Sequence, residues 1–372
     1  MHIPFCPYQC IYCDFDAGVY PKRMMSEYVE ALLTEISFTR AQFYPESLTA
    51  DTIYFGGGTP SLLAVDQLEK ILHGVRQRFT ILENDEITIE ANPESISHEK
   101  ARQLGQIGVN RISVGVQSFM DQELRMLGRG HTAHDVGASF AILREAGFNN
   151  LNLDLIGGLP GQSMENWLYN LDQAFALRPE HLSMYLLEVH ETTMLAELLK
   201  RGRLPQPDDE LSVEMYYALL DRAEAEGYEH YELSNYCLPG FHSRHNMKYW
   251  SDVPYLGFGC SAASYDGRER RVNVSTPGQY IDCINHSGQA VVTRTLVTPE
   301  TRRQEALFLG LRRIEGIDLE QFQTRYGIDV WAEYAIELQP LLEAKLVARE
   351  NGCLKLTRKG LTVSNEVFKV FV

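Results

Sequence analysis

The stretch DTIYFGGGTPSLLAVDQLEKILHGVRQRF, residues 51–79, decides the fold, because it contains one complete strand, turn and helix. DTIYF is a short run of β-branched and aromatic residues, which favour strands. The glycines of GGGTPS (56–61) end that run, and VDQLEKILHGVRQRF (65–79) has the apolar spacing of an amphipathic helix. The stretch therefore predicts one βα unit.

The same alternation of strand and helix recurs along the first half of the chain. Further predicted strands are EITIEA (86–91), RISVGV (111–116), LNLDLI (151–156) and HLSMYLLEV (181–189). Helical patterns separate them, and such alternation is typical of parallel βαβ units. We therefore expect an α/β fold, a partial (β/α)6 barrel of the TIM type, with functional side chains at the carboxyl ends of its strands.

The pattern changes in the second half of the chain. We expect the barrel to span 1–235 and a loop-rich connecting segment, which contains HNMKYW (245–250), to span 236–297. Residues 298–372 return to helical patterns, followed by two short strands around Asn351 and Gly352. This last part is expected to be an α-rich, winged-helix-like domain.

Composition limits the classes of partner. The formal charge is −16 over 372 residues, which repels a phosphate backbone, so we do not expect nucleic acid as a partner. No stretch approaches the roughly eighteen unbroken apolar residues of a membrane span, and the N-terminus lacks the features of a secretion signal. A cytoplasmic location is therefore expected.

Cys6, Cys10 and Cys13 are three of seven cysteines, and they lie within eight residues. A disulfide framework would be spread more evenly, so a metal centre fits this grouping better. A closed zinc site would need a fourth ligand, for which His2 is available. A [4Fe–4S] cluster would instead have one iron left open to a substrate. Inert buried thiols are the third alternative.

The motif CxxxCxxC, with Tyr12 before the third cysteine, resembles the signature of the radical S-adenosylmethionine (SAM) superfamily. Within it, HIPFC, GGGTPS, EANP, GVQSF, LDLIGGLPGQ and HNMKYW resemble the branch that contains oxygen-independent coproporphyrinogen III oxidase and the heme chaperone HemW. The resemblance covers nearly the whole chain. It implies that Cys6, Cys10 and Cys13 hold a [4Fe–4S] cluster whose open iron binds SAM.

The resemblance also implies a SAM-binding site. The matching positions are Gly57, Gly58, Thr59, Glu90, Gln117, Arg129 and Asp154. The side chains have suitable chemistry, because Arg129 can pair with a carboxylate through two parallel hydrogen bonds and Glu90 can accept from an ammonium group. Gln117 and Asp154 can bind ribose hydroxyls, and the glycines allow close approach of the backbone.

Two features favour the HemW side of this branch. The oxidase typically has a further cysteine at the position of Phe15, whereas HemW-like proteins have phenylalanine there. HNMKYW matches the pattern HNxxYW, whose histidine, here His245, is the implied heme ligand. Imidazole is a common axial ligand of heme iron. Cys237 and His242 are alternative donors nearby in sequence, and Ala263 stands where many relatives have histidine.

The first hypothesis is therefore a heme chaperone that binds heme or a related porphyrin and transfers it to a hemoprotein recipient. The expected recipients include hemoproteins at the membrane, which would make peripheral membrane association part of the function. A reductant protein for the cluster and a homodimer are also expected. The alternatives are coproporphyrinogen III oxidase, which makes protoporphyrinogen IX by SAM-dependent radical decarboxylation, and a radical SAM enzyme with another substrate. Enzymatic activity stays open.

The chain begins inside the family's usual motif LYIHIPFC. We therefore expect either a short first strand or a natural start upstream of Met1.

Overall fold

The computed structural model describes residues 1–43 and 48–371, without the side chains of 40–43. Its centre is an eight-stranded sheet of order β1-β2-β3-β4-β5-β6-β8-β7. The strands are β1 (His2–Ile3), β2 (Thr49–Gly57), β3 (Thr80–Ala91), β4 (Arg111–Gln117), β5 (Leu151–Gly157), β6 (His181–Leu186), β7 (Glu229–Glu232) and β8 (Asn235–Cys237). The first six are parallel, and β8 and β7 continue the sheet antiparallel. The predicted α/β fold with six parallel strands is confirmed.

The outer face of the sheet is covered by α1 (Lys22–Phe43), α2 (Val65–Arg78), α3 (His98–Gln106), α5 (Ala133–Glu145), α6 (Met164–Ala176) and α8 (Asp209–Ala225). Two shorter helices, α4 (Asp121–Leu127) and α7 (Met194–Lys200), instead contact the loop that contains Ile11. In α2 the buried residues Leu68, Ile71, Leu72 and Val75 follow helical spacing, so one face packs on the strands. Burial of such apolar faces holds the helices on the sheet.

The two faces of the strands differ in chemistry. Side chains alternate between the faces of a strand. On β5, Leu153 belongs to the apolar core under the helices, whereas its neighbours Asn152 and Asp154 line a cavity inside the barrel. The same holds on β3 for Ile89 and Glu90. The barrel therefore encloses a polar interior instead of a second apolar core.

Two strand boundaries differ from the sequence prediction by three or more residues. β3 begins at Thr80 instead of 86, because its first residues pair with the start of β2 before a shift of register between Ala50 and Thr52. β6 ends at Leu186 instead of 189, and the hydrogen bond from the Leu187 amide to the carbonyl of Gly157 is the last one that joins it to β5. β1 has two residues, His2 and Ile3.

The segment 236–297 contains a three-stranded antiparallel sheet and two helices. The elements are α9 (Arg244–Tyr249), β9 (Ala263–Tyr265), β10 (Glu269–Asn273), α10 (Pro277–Ser287) and β11 (Val291–Leu296). The backbone amides of Arg244 and His245 donate to the two carboxylate oxygens of Glu86, each at 3.0 Å. This contact joins the start of α9 to β3, because a carboxylate is favoured at a helix N-terminus.

The C-terminal part has its own apolar core and a sheet of order β12-β14-β13. Its elements are α11 (Pro299–Leu311), β12 (Ile317–Asp318), α12 (Leu319–Tyr326), α13 (Val330–Glu333), α14 (Ala335–Glu343), β13 (Val347–Glu350), β14 (Cys353–Leu356), α15 (Arg358–Leu361) and α16 (Ser364–Phe368). One carboxylate oxygen of Asp252 accepts hydrogen bonds from Arg302, Arg325 and Tyr326 at 2.7 to 3.1 Å. This cluster connects the C-terminal part to the loop after α9.

Among the described residues, no helix combines the length and apolar character required to cross a lipid bilayer.

Candidate functional site

A cavity of about 360 Å³ inside the barrel, called the barrel cavity, contains ten of the eleven sequence-predicted site residues. Those ten are Cys6, Cys10, Cys13, Gly57, Gly58, Thr59, Glu90, Gln117, Arg129 and Asp154. They come from the loop after β1 and from the carboxyl halves of four strands or the loops that follow them. Parallel strands bring these ends to one side of the sheet, so residues distant in sequence share one cavity.

The loop that carries the three cysteines, residues 6–13, is held by backbone hydrogen bonds to its surroundings. The Cys6 amide donates to the carbonyl of Gly18 at 2.8 Å, and the Ile11 amide donates to the carbonyl of Leu127 at 3.1 Å. A Cβ atom at Gly58 would lie 2.8 Å from the Cys6 sulfur. Only glycine allows this close approach between the loop and the end of β2.

At least two of the three cysteine sulfurs lie more than 4.8 Å apart. Zinc binds thiolates at about 2.3 Å, which places bound sulfurs less than about 5 Å apart. Among the described residues, Glu229, Cys237 and His242 do have ligand atoms that all lie within 4.8 Å of one another. These three residues form a different site from the three cysteines. His2 is also engaged elsewhere, since its Nδ1 lies 2.6 Å from the carbonyl oxygen of Cys260. The arrangement therefore favours a larger centre over zinc.

Two of the three thiols, Cys6 and Cys13, have a raised pKa. Burial raises the pKa of Cys6 to about 11, and burial also raises the pKa of Cys13. Because metals bind thiolates, occupation of this site must release protons.

Arg129 presents a half-buried cation to the barrel cavity. Its guanidinium donates to the Asn92 side-chain oxygen at 2.8 Å and to the Gly115 carbonyl at 2.6 Å, and it reaches the Cys10 sulfur at 3.5 Å. It also lies over the ring of Tyr8, 5.8 Å from the centroid. Its Nε is buried with no hydrogen-bond partner, and no described carboxylate pairs with it. A half-buried guanidinium without a direct carboxylate contact is suited to an anionic ligand.

Glu90 lies at the end of β3 and can change its charge near neutral pH. The Tyr54 hydroxyl donates to one carboxylate oxygen at 2.8 Å, and the Gly57 amide donates to the other at 3.0 Å. Burial raises the pKa of Glu90 to about 7, although these two donors oppose the shift. Gly57 has φ of +121°, a conformation that glycine adopts without strain.

Gln117 and Asp154 complete the barrel cavity from β4 and β5. Gln117 has φ of +69°, and the register of β4 against β5 shifts between Gly115 and Gln117. A non-glycine residue in this conformation costs on the order of 1 kcal/mol, and such strain is concentrated at functional sites. Asp154 accepts a hydrogen bond from the Asn152 side chain at 2.7 Å, and burial raises its pKa.

His245 lies in a second cavity, called the α9 cavity, of about 450 Å³. The walls contain six tyrosine and phenylalanine rings, namely Tyr54, Phe79, Tyr249, Tyr255, Phe258 and Tyr265. The His245 ring stacks on Tyr54 with centroids 4.9 Å apart. Its Nδ1 lies 2.9 Å from the Thr52 hydroxyl, and its Nε2 lies 3.1 Å from the Tyr249 hydroxyl. Burial lowers the pKa of His245 to about 3, so the imidazole is neutral.

Three further residues line the cavities at positions that bear on their function. Tyr54 lines both cavities and forms part of the wall between them. Phe15 lines the barrel cavity while 66% of its surface is exposed, so it stands at the mouth. Ala263 lines the α9 cavity.

Sequence reasoning missed several residues that shape the barrel cavity. Tyr8 and Asn92 hold Arg129, and Tyr54 holds Glu90. Asn92 lies in the motif EANP, but the motif alone did not predict a function for this residue. Tyr54 lies within the predicted strand DTIYF, where its aromatic side chain indicates only strand propensity.

Comparison with known proteins gives consistent matches. Residues 1–174 match the radical SAM superfamily, and residues 297–363 match the HemN C-terminal domain. Heme chaperone HemW of Bacillus subtilis is 38% identical over 373 residues, which cover 100% of this chain and 98% of the relative. The HemW of Lactococcus lactis is 34% identical, with 100% of this chain and 96% of the relative covered.

Among solved structures, the fold is similar to that of coproporphyrinogen III oxidase (HemN) from Escherichia coli, a radical SAM enzyme. The TM-score is 0.87 at 25% identity, with 100% of this chain and 88% of the oxidase covered.

Proposed function

Because this chain belongs to the HemW family of the radical SAM superfamily, we propose that it binds heme and transfers it to hemoproteins. The observation that carries this proposal is the presence of two separate cavities, with the thiols in one and His245 in the other. A carrier requires a place for its cargo, whereas an oxidase requires its substrate next to SAM. The α9 cavity provides such a place away from the thiols.

Cys6, Cys10 and Cys13 are proposed to hold a [4Fe–4S] cluster. Three thiolates leave one iron without a protein ligand, and the wide spacing of the sulfurs supports a cluster over a single ion. When bound, the cluster supplies an electron to SAM at that iron. The chain contributes the thiol loop, the close backbone approach at Gly58 and the enclosure that limits access of water.

SAM is proposed to bind in the same cavity. Arg129, which has no counter-ion, pairs with the SAM carboxylate, and Glu90 accepts from the ammonium group. Gln117 and Asp154 bind the ribose hydroxyls. Gly57, Gly58 and Thr59 form the backbone surface along the methionine part.

Heme is proposed to bind in the α9 cavity through His245. A neutral imidazole is the form that binds iron, and the low pKa of His245, about 3, keeps it neutral. Thr52 fixes Nδ1, so Nε2 is the expected ligand atom once the Tyr249 hydroxyl moves away. Tyr249 is 38% exposed, which gives it room to move. The volume of about 450 Å³ is within the usual range for small-molecule sites.

The wider setting is proposed from the name of the relatives, heme chaperone. The recipient is a hemoprotein, including hemoproteins at the membrane, and a reductant protein serves the cluster. The chain acts in the cytoplasm or peripherally at a membrane, as a homodimer. Its functional units are the barrel (1–235), the connecting segment (236–297) and the C-terminal domain (298–372).

The second candidate is coproporphyrinogen III oxidase, which the close structural similarity to HemN favours. Phe15 argues against it, because an apolar ring stands at the mouth of the barrel cavity where the oxidase typically has a cysteine.

The test combines binding and turnover in one preparation. The protein is reconstituted anaerobically with iron and sulfide, titrated with heme, and assayed with coproporphyrinogen III, SAM and a reductant. About one heme per chain, lost in His245→Ala and retained in the exposed control His286→Ala, with no decarboxylated product, is the expected result. Formation of protoporphyrinogen IX would overturn the proposal in favour of the oxidase.

A further inference from the structure

Three metal-binding side chains meet outside both cavities, next to strands β7 and β8. The ligand atoms of Glu229, Cys237 and His242 all lie within 4.8 Å of one another. Glu229 and Cys237 are paired across the antiparallel strands, which places their side chains on one face of the sheet. The turn at 238–242 returns the chain and brings the Nε2 of His242 to 3.5 Å from a Glu229 oxygen.

Cys237 is held in place by its surroundings, whereas the side chains of Glu229 and His242 have room to move. Cys237 is fully buried, and the backbone after it is held because the Leu238 amide donates to the Glu180 carbonyl at 2.9 Å. The His242 ring lies edge-on against Tyr231, with centroids 4.7 Å apart. Glu229 and His242 are 49% and 40% exposed, so both side chains can shift by the fraction of an ångström that coordination requires.

The ligand set indicates which metal would bind. Zinc binds sulfur at about 2.3 Å and nitrogen or oxygen at about 2.0 to 2.2 Å, so its ligand atoms lie roughly 3 to 4 Å apart. The three ligand atoms are already close to this spacing. Thiolate and imidazole donors favour zinc and similar transition metals, whereas magnesium and calcium prefer sites made only of oxygen ligands.

We propose that Glu229, Cys237 and His242 bind one divalent transition-metal ion of the zinc class, with a water molecule from the exposed side as the fourth ligand. On binding, the Cys237 sulfur loses its proton to solvent and forms the metal–sulfur bond. The site is separate from the thiol loop and does not depend on the proposed heme function.

The position of the site gives it a structural consequence. Ser243 follows His242 directly and caps α9, since its hydroxyl accepts from the Asn246 amide at 3.3 Å. The Ser243 amide also donates to the Tyr231 hydroxyl at 3.4 Å. A metal that joins His242 to Glu229 and Cys237 would fix the turn at 238–242 and therefore the start of the helix that carries His245.

The test measures zinc bound to the full-length, cluster-reconstituted protein. Zinc is added, unbound metal is removed, and zinc per chain and its affinity are determined by metal analysis and by competition with a chromophoric chelator. Wild type should hold one zinc more than Cys237→Ser, and His242→Ala should bind it at least about tenfold more weakly. Cys353→Ser, which changes a thiol on β14 outside the site, should behave as wild type.

Two further variants and a hydrogen-exchange measurement also test the proposed zinc site. If Cys237→Ser does not fold, His242→Ala and Glu229→Gln decide, because both change half-exposed side chains. Zinc should also slow amide hydrogen exchange at 238–243 in wild type. Equal zinc content and affinity in wild type, His242→Ala and Glu229→Gln would overturn the proposal. That result would leave heme binding at His245 and the iron content of the thiol loop unaffected.

Discussion

The two cavities of this protein share one wall but are built in different ways. The barrel cavity is made from loops and strand ends, where half-buried charged groups such as Arg129 and Glu90 are held by short hydrogen bonds. The α9 cavity contains six tyrosine and phenylalanine rings in its lining, and its contact between Thr52 and His245 joins residues 193 positions apart. The first arrangement suits reactions of a charged cofactor, and the second suits storage of a large apolar ligand.

Tyr54 shows how closely the two regions are connected. Its ring stacks on His245 in one cavity, while its hydroxyl donates to Glu90 in the other. Changes to Arg129 and Glu90 are therefore expected to affect the barrel cavity alone, whereas a change to Tyr54 can affect both cavities.

The largest expected effect is loss of the cluster. Replacement of Cys6, Cys10 or Cys13 by alanine should remove almost all bound iron and sulfide, because each change takes away one of three thiolate ligands. Iron and sulfide analysis after anaerobic reconstitution measures this. Cys283→Ala, which changes a half-buried thiol on α10, is the matched control and should retain the cluster. A full complement of iron in any of the three variants would remove that cysteine from the ligand set.

The next largest effect is the loss of the proposed pairing between Arg129 and the SAM carboxylate. Arg129→Gln should weaken SAM binding by about 10- to 100-fold, because a charged hydrogen bond contributes roughly 1.5 to 3 kcal/mol. The SAM affinity of Arg129→Lys should lie between those of wild type and Arg129→Gln, since lysine keeps the charge but not the two parallel donors. Calorimetric titration with SAM measures both. The exposed residue Arg125 on α4 provides the control Arg125→Gln. Equal SAM affinity in Arg129→Gln and wild type would place the carboxylate elsewhere.

The pH dependence of SAM binding should follow Glu90. Burial raises the pKa of its carboxyl from an ordinary value to about 7, so below pH 7 the free protein holds the proton. An ammonium group binds the ionised form, so SAM affinity should fall by up to about tenfold for each pH unit below 7 and level off above it.

Calorimetry between pH 6 and 8 measures this dependence, and Glu90→Gln should flatten it, because the amide does not titrate in this range. A profile that is the same in wild type and Glu90→Gln would show that Glu90 does not face the ammonium group.

The smallest effect tests the shared wall. Tyr54→Phe removes the hydroxyl that donates to Glu90 but keeps the ring that stacks on His245. SAM affinity should fall about fivefold, consistent with the loss of one hydrogen bond of about 1 kcal/mol, while heme affinity should change less than twofold. Parallel titrations with SAM and heme measure the two. An equal loss of heme affinity would mean that the hydroxyl, and not only the ring, serves the α9 cavity.

Particular residues show what the sequence could predict. The strand and helix rhythm predicts six parallel strands, and parallel strands necessarily bring Gly57, Glu90, Gln117 and Asp154 to one region. The strained backbone of Gln117 could not be predicted, because it arises from a register shift between β4 and β5.

The tertiary contacts of the site could not be predicted from the sequence either. The role of Asn92 depends on a hydrogen bond to Arg129, 37 positions away, which no local pattern encodes. The separation of His245 from the thiols was not predicted, since it depends on how Glu86 fixes the start of α9. The zinc alternative for the thiols could be weighed only once the spacing of the sulfurs was known.

The most direct test of two separate sites is a heme titration, followed by Soret absorption, of three proteins. These are wild type, the cluster-free variant Cys6→Ser/Cys10→Ser/Cys13→Ser, and His245→Ala. The account predicts about one heme per chain, with similar affinity, in the first two and a loss of at least about 100-fold in affinity in His245→Ala. Loss of heme binding in the cluster-free variant, together with normal binding in His245→Ala, would contradict it and place heme in the barrel cavity.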